Sequence, residues 1–202
     1  MIDRKNRYGR TAARIHNADG LARRPSSATV DIHAHIVVPQ AAKLAQPHID
    51  SRRIPLAHFA DAASKEINAQ QEKDVSEVMT TIDRRLLDLD RMGIDIQVVA
   101  PAPGQCYYSI DPKIAEAAHR LANDGVVEYC SRKSDRLVGL GVVTLQEPDI
   151  AVGELDYIMS ELKLKGVEIL TNVDGQELSD PKFRPFFAKA EHSCGISAGD
   201  LG

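Results

Sequence analysis

The run Thr29-Val30-Asp31-Ile32-His33-Ala34-His35-Ile36-Val37-Val38-Pro39 decides how the rest of the chain is read. β-Branched residues dominate it and a proline stops it, which predicts a short buried strand with the polar cluster His33-Ala34-His35 toward its C-terminal end. Residues i and i+2 of a strand share a face, so both imidazoles can reach one ion, and Asp31 at i−2 is expected on that face too. Zinc takes neutral imidazole nitrogens, and a catalytic zinc keeps one position open for a water that it acidifies. A bare H-x-H also arises by chance, so its meaning depends on the elements downstream of it.

Residues 40 to about 73 are polar and irregular, and a connection of that length reads as a lid or a disordered segment beside the histidines. From Asp74, Met79, Ile82, Leu86 and Leu89 recur at helical spacing toward a stop near Gly93. Ile94 to Ala100 supplies a second strand before Pro101, and a turn-rich tract runs from Ala102 to Ile110. Asp111-Pro112 then signals an N-cap with proline at the first helical position, predicting a helix to about Ser131 with Gly125 as a weak point. Strands over Leu137–Val143 and Gly166–Leu170 flank a helix opened by Pro148, and Asp180-Pro181 caps a last helix, Phe183 to Glu191. Strands alternating with helices predict an α/β fold with a parallel sheet. A doubly wound sheet and a (β/α)8 barrel both satisfy that alternation, and periodicity does not choose between them.

Hydrophobic residues at 43% and charged residues at 27% can build a core, which the absence of Trp makes largely aliphatic. A net charge of −4 argues against a nucleic-acid partner, and no apolar run approaches membrane-spanning length, so a soluble protein without nucleic-acid or membrane partners is expected. Residues 1–27 hold seven basic and two acidic residues and read as a disordered basic tail. Cys106, Cys130 and Cys194 are widely spaced and odd in number, which predicts reduced thiols and a cytoplasmic setting.

The Asp31-Ile32-His33-Ala34-His35 motif ends the first strand, where a TIM-type barrel places its chemistry. The segments LLDLDRMGIDIQVVAPAP, RLVGLGVVTLQEPDIAVGEL and GVEILTNVDGQELSDPKFRPFFAKAE come after it in order. On these residues the chain resembles the amidohydrolase superfamily, in the group named for aminocarboxymuconate-semialdehyde decarboxylase, over about residues 28 to 191. The resemblance implies a (β/α)8 barrel with one divalent metal, usually zinc, and C–C bond cleavage or hydration of small unsaturated or aromatic carboxylic acids. It assigns His33 and His35 as the first two metal ligands. The group's third ligand, a histidine closing the fifth strand, its acid/base histidine on the sixth and its aspartate on the eighth have no counterpart to which they can be carried. After Glu191 the chain departs from the group's pattern, and 192–202 is small and Gly-rich. About four β/α units, an incomplete barrel, are therefore expected, whether from a frameshift, a gene-model error or a short natural form. Unpaired strand edges in such a barrel favour a homo-oligomer.

Asp31 is expected as a carboxylate orienting a ligating imidazole. Tyr107 and Tyr108, with Gln105 and Cys106, lie on the loop after the second strand and are substrate-contact candidates, as is Asn172 after the fourth. Asn172-Val173-Asp174-Gly175 is also a turn signal, and Arg52 and Arg53 read as solvated charges rather than carboxylate clamps. His48, His58, His119 and His192 lack ligand-like placement. The leading function is a metal-dependent carboxy-lyase or hydrolase. Its rivals are an inactive fragment that docks on a full-length copy, and another metallohydrolase opening with D-x-H-x-H.

Overall fold

A computed structural model describes residues 28–50, 52 and 61–193 of the chain. The tail expected over 1–27 lies outside the described residues, as do Arg53, His58 and residues 194–202, whereas His192 and Ser193, expected to open the C-terminal tail, instead end the last helix. Strand β1 (Val30–Ile36) pairs in parallel with β2 (Ile96–Pro101), and β2 with β3 (Leu137–Gly139), in the order β1-β2-β3. The fourth predicted strand continues this order as a single parallel bridge from Gly141 to Val167, held by Gly141 N–H to Gly166 O and Glu168 N–H to Gly141 O. Each new strand is thus added on the same side of the one before. A doubly wound sheet reverses its order at a switch point, whereas a barrel wall grows in one direction, so the observed order selects the barrel.

One-directional growth with right-handed crossovers puts the helices on one face of the wall. Helix α1 (Pro39–Ala45) and helix α2 (Ala62–Thr80) occupy most of the segment read from sequence as irregular, and Thr81, extended at φ −111° and ψ 118°, separates α2 from α3 (Ile82–Met92). The single helix expected across Met79 and Ile82 is therefore two. Gly93 ends α3 at φ 72°, a left-handed conformation that glycine adopts without a Cβ clash.

Helix α4 (Pro112–Ser131) begins as predicted, with the Asp111 carboxylate accepting from the backbone N–H of Lys113 at 2.9 Å. Its inner face is small, with Ala115, Ala118 and Ala122 fully buried. Gly125 is no weak point: a Cβ there would lie 2.6 and 2.8 Å from the two methyls of Val38, so glycine permits the helix to lie against the end of β1. Helix α5 (Pro148–Ser160) and helix α6 (Arg184–Ser193) complete the outer layer, and Phe183, Phe186 and Ile158 are buried near their contact. Between them Asn172–Val173 and Gln176–Glu177 form a hairpin, β4 and β5, turned by Asp174 at φ 51° and Gly175 at φ 88°. Among the described residues no helix is long and apolar enough to cross a membrane.

Candidate metal centre

The local geometry of β1 controls what its side chains can do. Asp31 pairs with Gln97 and His35 with Ala100, and the register slips between Asp31 and Ala34. This β-bulge inserts one extra residue, which breaks simple alternation. Asp31 is consequently carried to the helix-covered face, where its carboxylate accepts from Gln97 Nε2 at 2.7 Å and from the backbone N–H of His33 at 3.2 Å. The expectation that Asp31 shares a face with the histidines fails for this reason.

His33 and His35 do converge. Their Nε2 atoms stand 3.2 Å apart, with the rings edge-to-face at 83°. Two nitrogens each about 2.0–2.1 Å from one zinc, near the tetrahedral angle, are roughly that far apart, so the pair fits a shared ion. Both line a cavity of about 900 Å³ on the helix-free side of the wall, with Ala100, Leu140, Val167 and Ile169 contributing apolar surface. His35 Nδ1 is buried without a hydrogen-bond partner and lies 3.5 Å from a carboxylate oxygen of Glu168. Among the described residues no group of three or more His, Cys, Asp or Glu side chains is arranged to hold a metal.

A buried guanidinium, not singled out from the sequence, fixes the strand beneath the pair. Arg85 is 4% exposed. It donates to Gln97 Oε1 at 2.7 Å, to Tyr129 Oη at 3.0 Å, and to the backbone oxygens of His35 and Val78. Asp31, Gln97 and Arg85 thus form a chain that holds both ends of the bulge. Gln105 performs a similar task after β2, its amide bonding both the N–H and the C=O of Val38 at 2.9 Å.

Tyr107, Tyr108 and Asn172 all line the cavity. Tyr107 is held at φ 39°, costly for an aromatic residue, by stacking on His119 and by the Gln146 amide on its carbonyl. Burial raises the phenols of both tyrosines. Asn172 Oδ1 accepts the Gly175 N–H at 2.6 Å, so its carbonyl end closes the hairpin turn. Arg52 is paired with Asp50, and His192 bonds the Ala188 carbonyl at the end of α6. Cys106 and Cys130 are free and buried, their thiols pushed up to about 12 chiefly by burial.

His119 belongs to a buried network behind the cavity. Its Nδ1 lies 2.9 Å from Thr144 Oγ1 and its Nε2 3.0 Å from the Cys106 carbonyl, while Glu154 meets both the N–H and the hydroxyl of Thr144. Burial lowers His119 to about 4, and burial raises Glu154 to about 7 against the opposing Thr144 hydrogen bonds. Sequence spacing gave no sign of this group because its members come from α4, the segment after β3, and α5.

The sequence model of the Amidohydrolase family matches residues 30–192. The 2-amino-3-carboxymuconate-6-semialdehyde decarboxylase of Dictyostelium discoideum is 28% identical over 166 residues, covering 82% of this chain and 46% of that protein. The gamma-resorcylate decarboxylase of Rhizobium radiobacter is 31% identical over 117 residues, covering 54% of this chain and 35% of its own length. The crystal structure of 5-carboxyvanillate decarboxylase from Novosphingobium aromaticivorans with bound manganese superposes at a TM-score of 0.67 with 20% identity, covering 83% of this chain and 49% of that one. The chain therefore spans about half the length, or less, of the relatives it matches. A strand order that grows one way and a family match across the whole described wall agree: the chain belongs to the amidohydrolase family.

Proposed function

We propose that this chain carries part of the site of a divalent-metal-dependent carboxy-lyase acting on a small aromatic or unsaturated carboxylic acid. The observation that carries the reading is the convergence of His33 and His35 Nε2 at 3.2 Å beside an apolar cavity. The relatives named above are decarboxylases of that substrate class, and one of their structures holds manganese. A divalent cation bound there supplies a positive centre that polarises a carboxylate or a water. Imidazole nitrogen binds zinc more tightly than manganese in the usual affinity order, so zinc is the cation proposed for the isolated pair.

The remaining roles fall to the chain itself. Arg85 and Asp31 hold the β1 backbone so that both imidazoles present Nε2 to one point. Val167, Ile169 and Leu140 give the cavity an apolar wall suited to a planar carbon skeleton, and exclude water from it. Tyr107, Tyr108 and Asn172 line it as the polar contacts for the substrate. The free buried thiols of Cys106 and Cys130 support a reducing, cytoplasmic setting.

Catalytic zinc sites use three protein ligands, and the described residues bring two imidazoles together. The 202-residue chain by itself should therefore release no CO₂ from 2,6-dihydroxybenzoate above the rate of metal in buffer. Chelator competition should show zinc binding that His33→Ala and His35→Ala each weaken and that His48→Ala, an exposed control, leaves unchanged. Equal affinity in all variants removes the metal assignment, and His33-dependent CO₂ release removes the claim that the isolated chain is inactive.

A further inference from the structure

The ring of His35 has two edges with different neighbours. Nε2 faces His33, whereas Nδ1 is buried without a hydrogen-bond partner and has Glu168 Oε2 3.5 Å away. Glu168 lies in the fourth strand segment, Gly166-Val167-Glu168-Ile169-Leu170, as the one charged residue among apolar neighbours. Its backbone N–H donates to the Gly141 carbonyl at 2.8 Å, so its Cα is tied to the barrel wall. Its side chain is 18% exposed and sets Oε2 against Nδ1 of His35, whose side chain is 20% exposed. A carboxylate placed on a largely apolar wall is costly unless it has a partner.

We propose that Glu168 is the positioning residue of the metal centre. It accepts Nδ1–H of His35, which forces the Nε2 lone pair to face the point shared with His33. The separation of 3.5 Å is at the outer limit of a hydrogen bond. The terminal torsion of a glutamate is soft, and contacts of this kind often tighten only when a site is filled. Glu168 is not a third ligand, because it sits on the ring nitrogen turned away from His33, and no three-member ligand group forms among the described residues. Nor does Asp31 compete for the role, since its carboxylate is occupied by Gln97 and the His33 backbone across the bulge. Outer carboxylates of this kind fix the tautomer of a ligating histidine, and losing one typically costs about 10–100-fold in metal affinity.

The inference rests on the metal reading above, and the test separates the two. The tautomer of His35 is read in the metal-free chain by long-range ¹H–¹⁵N correlation of its ring, with the signal assigned through His35→Ala. Glu168→Met keeps the length of the side chain and removes the acceptor, while Glu168→Gln keeps an acceptor oxygen and removes the charge. The wild-type chain and Glu168→Gln should both show Nδ1 protonated and Nε2 bare. Glu168→Met should shift His35 toward the Nε2–H form and weaken zinc about 10–100-fold in chelator competition, with Glu168→Gln losing less. An unchanged His35 tautomer in Glu168→Met overturns the proposal, whatever happens to affinity. A tautomer shift with no change in zinc binding, in a chain where His33→Ala and His35→Ala also bind zinc normally, overturns the metal reading and leaves Glu168 as the residue that sets the ring.

Discussion

Replacing Glu154 with Gln should change how stability depends on pH, and the buried network gives the size. With His119 lowered to about 4, its imidazole is neutral at pH 7. The Nε2–H then donates to the Cys106 carbonyl, and Nδ1 lies 2.9 Å from Thr144 Oγ1. Glu154 accepts from both the Thr144 hydroxyl and its backbone N–H, which favours the carboxylate, but burial favours the neutral acid and outweighs them. The folded-state value of Glu154, raised from 4.5 to about 7, lies above its ordinary value. Its contribution is therefore fully present below about pH 4.5 and is lost as pH rises through about 7. A shift of that size is worth about 3 kcal/mol. Glu154→Gln keeps the side chain neutral at every pH and retains one acceptor oxygen. The stability of Glu154→Gln relative to wild type should thus rise by about 3 kcal/mol between pH 4 and pH 8, because His119 titrates in both proteins and cancels in the difference. Urea unfolding followed by far-ultraviolet circular dichroism across that range measures it. Parallel stability curves for the two proteins would refute the proton count.

Other substitutions address the frame around the site. Gly125→Ala should cost about 1–3 kcal/mol in denaturant unfolding by pushing a methyl into Val38, and a double-mutant cycle with Val38→Ala should recover part of that loss. Arg85→Met should cost about 2–4 kcal/mol because it strands the buried carbonyl of His35 and the amide of Gln97, and chelator competition should show weaker zinc binding in the same variant. Val30 and Ile32, 48% and 75% exposed, lie on an edge strand, so sedimentation velocity should show self-association that Ile32→Lys reduces.

Much of the wall was legible in the sequence because its signals are local. Asp111-Pro112 and Gly93 mark helix ends through capping chemistry that depends only on neighbours, and the structure places the ends there. The parts that were not legible depend on residues distant in the chain. The β-bulge that moves Asp31 off the histidine face exists because β1 must register against β2, 66 residues away between Asp31 and Gln97. Gly125 reads as a helix defect until Val38 is placed beside it. Thr81 divides a continuous periodic pattern because Arg85 turns inward to bond the His35 carbonyl and Val37 N–H bonds the Met79 carbonyl, which pins the junction to β1. Glu168 did carry a signal, as the lone charge in an otherwise apolar strand segment, and that pattern marks a partly buried group with a task.

If His33 and His35 hold one divalent cation, manganese loaded into the chain must be bound through both imidazoles. Pulsed electron paramagnetic resonance of the manganese-loaded chain counts the imidazole nitrogens bound to the metal. Two directly coordinated imidazoles are expected in the wild-type chain, one in either His33→Ala or His35→Ala, and none in the double variant. A nitrogen count that is the same in all four proteins would contradict the shared site.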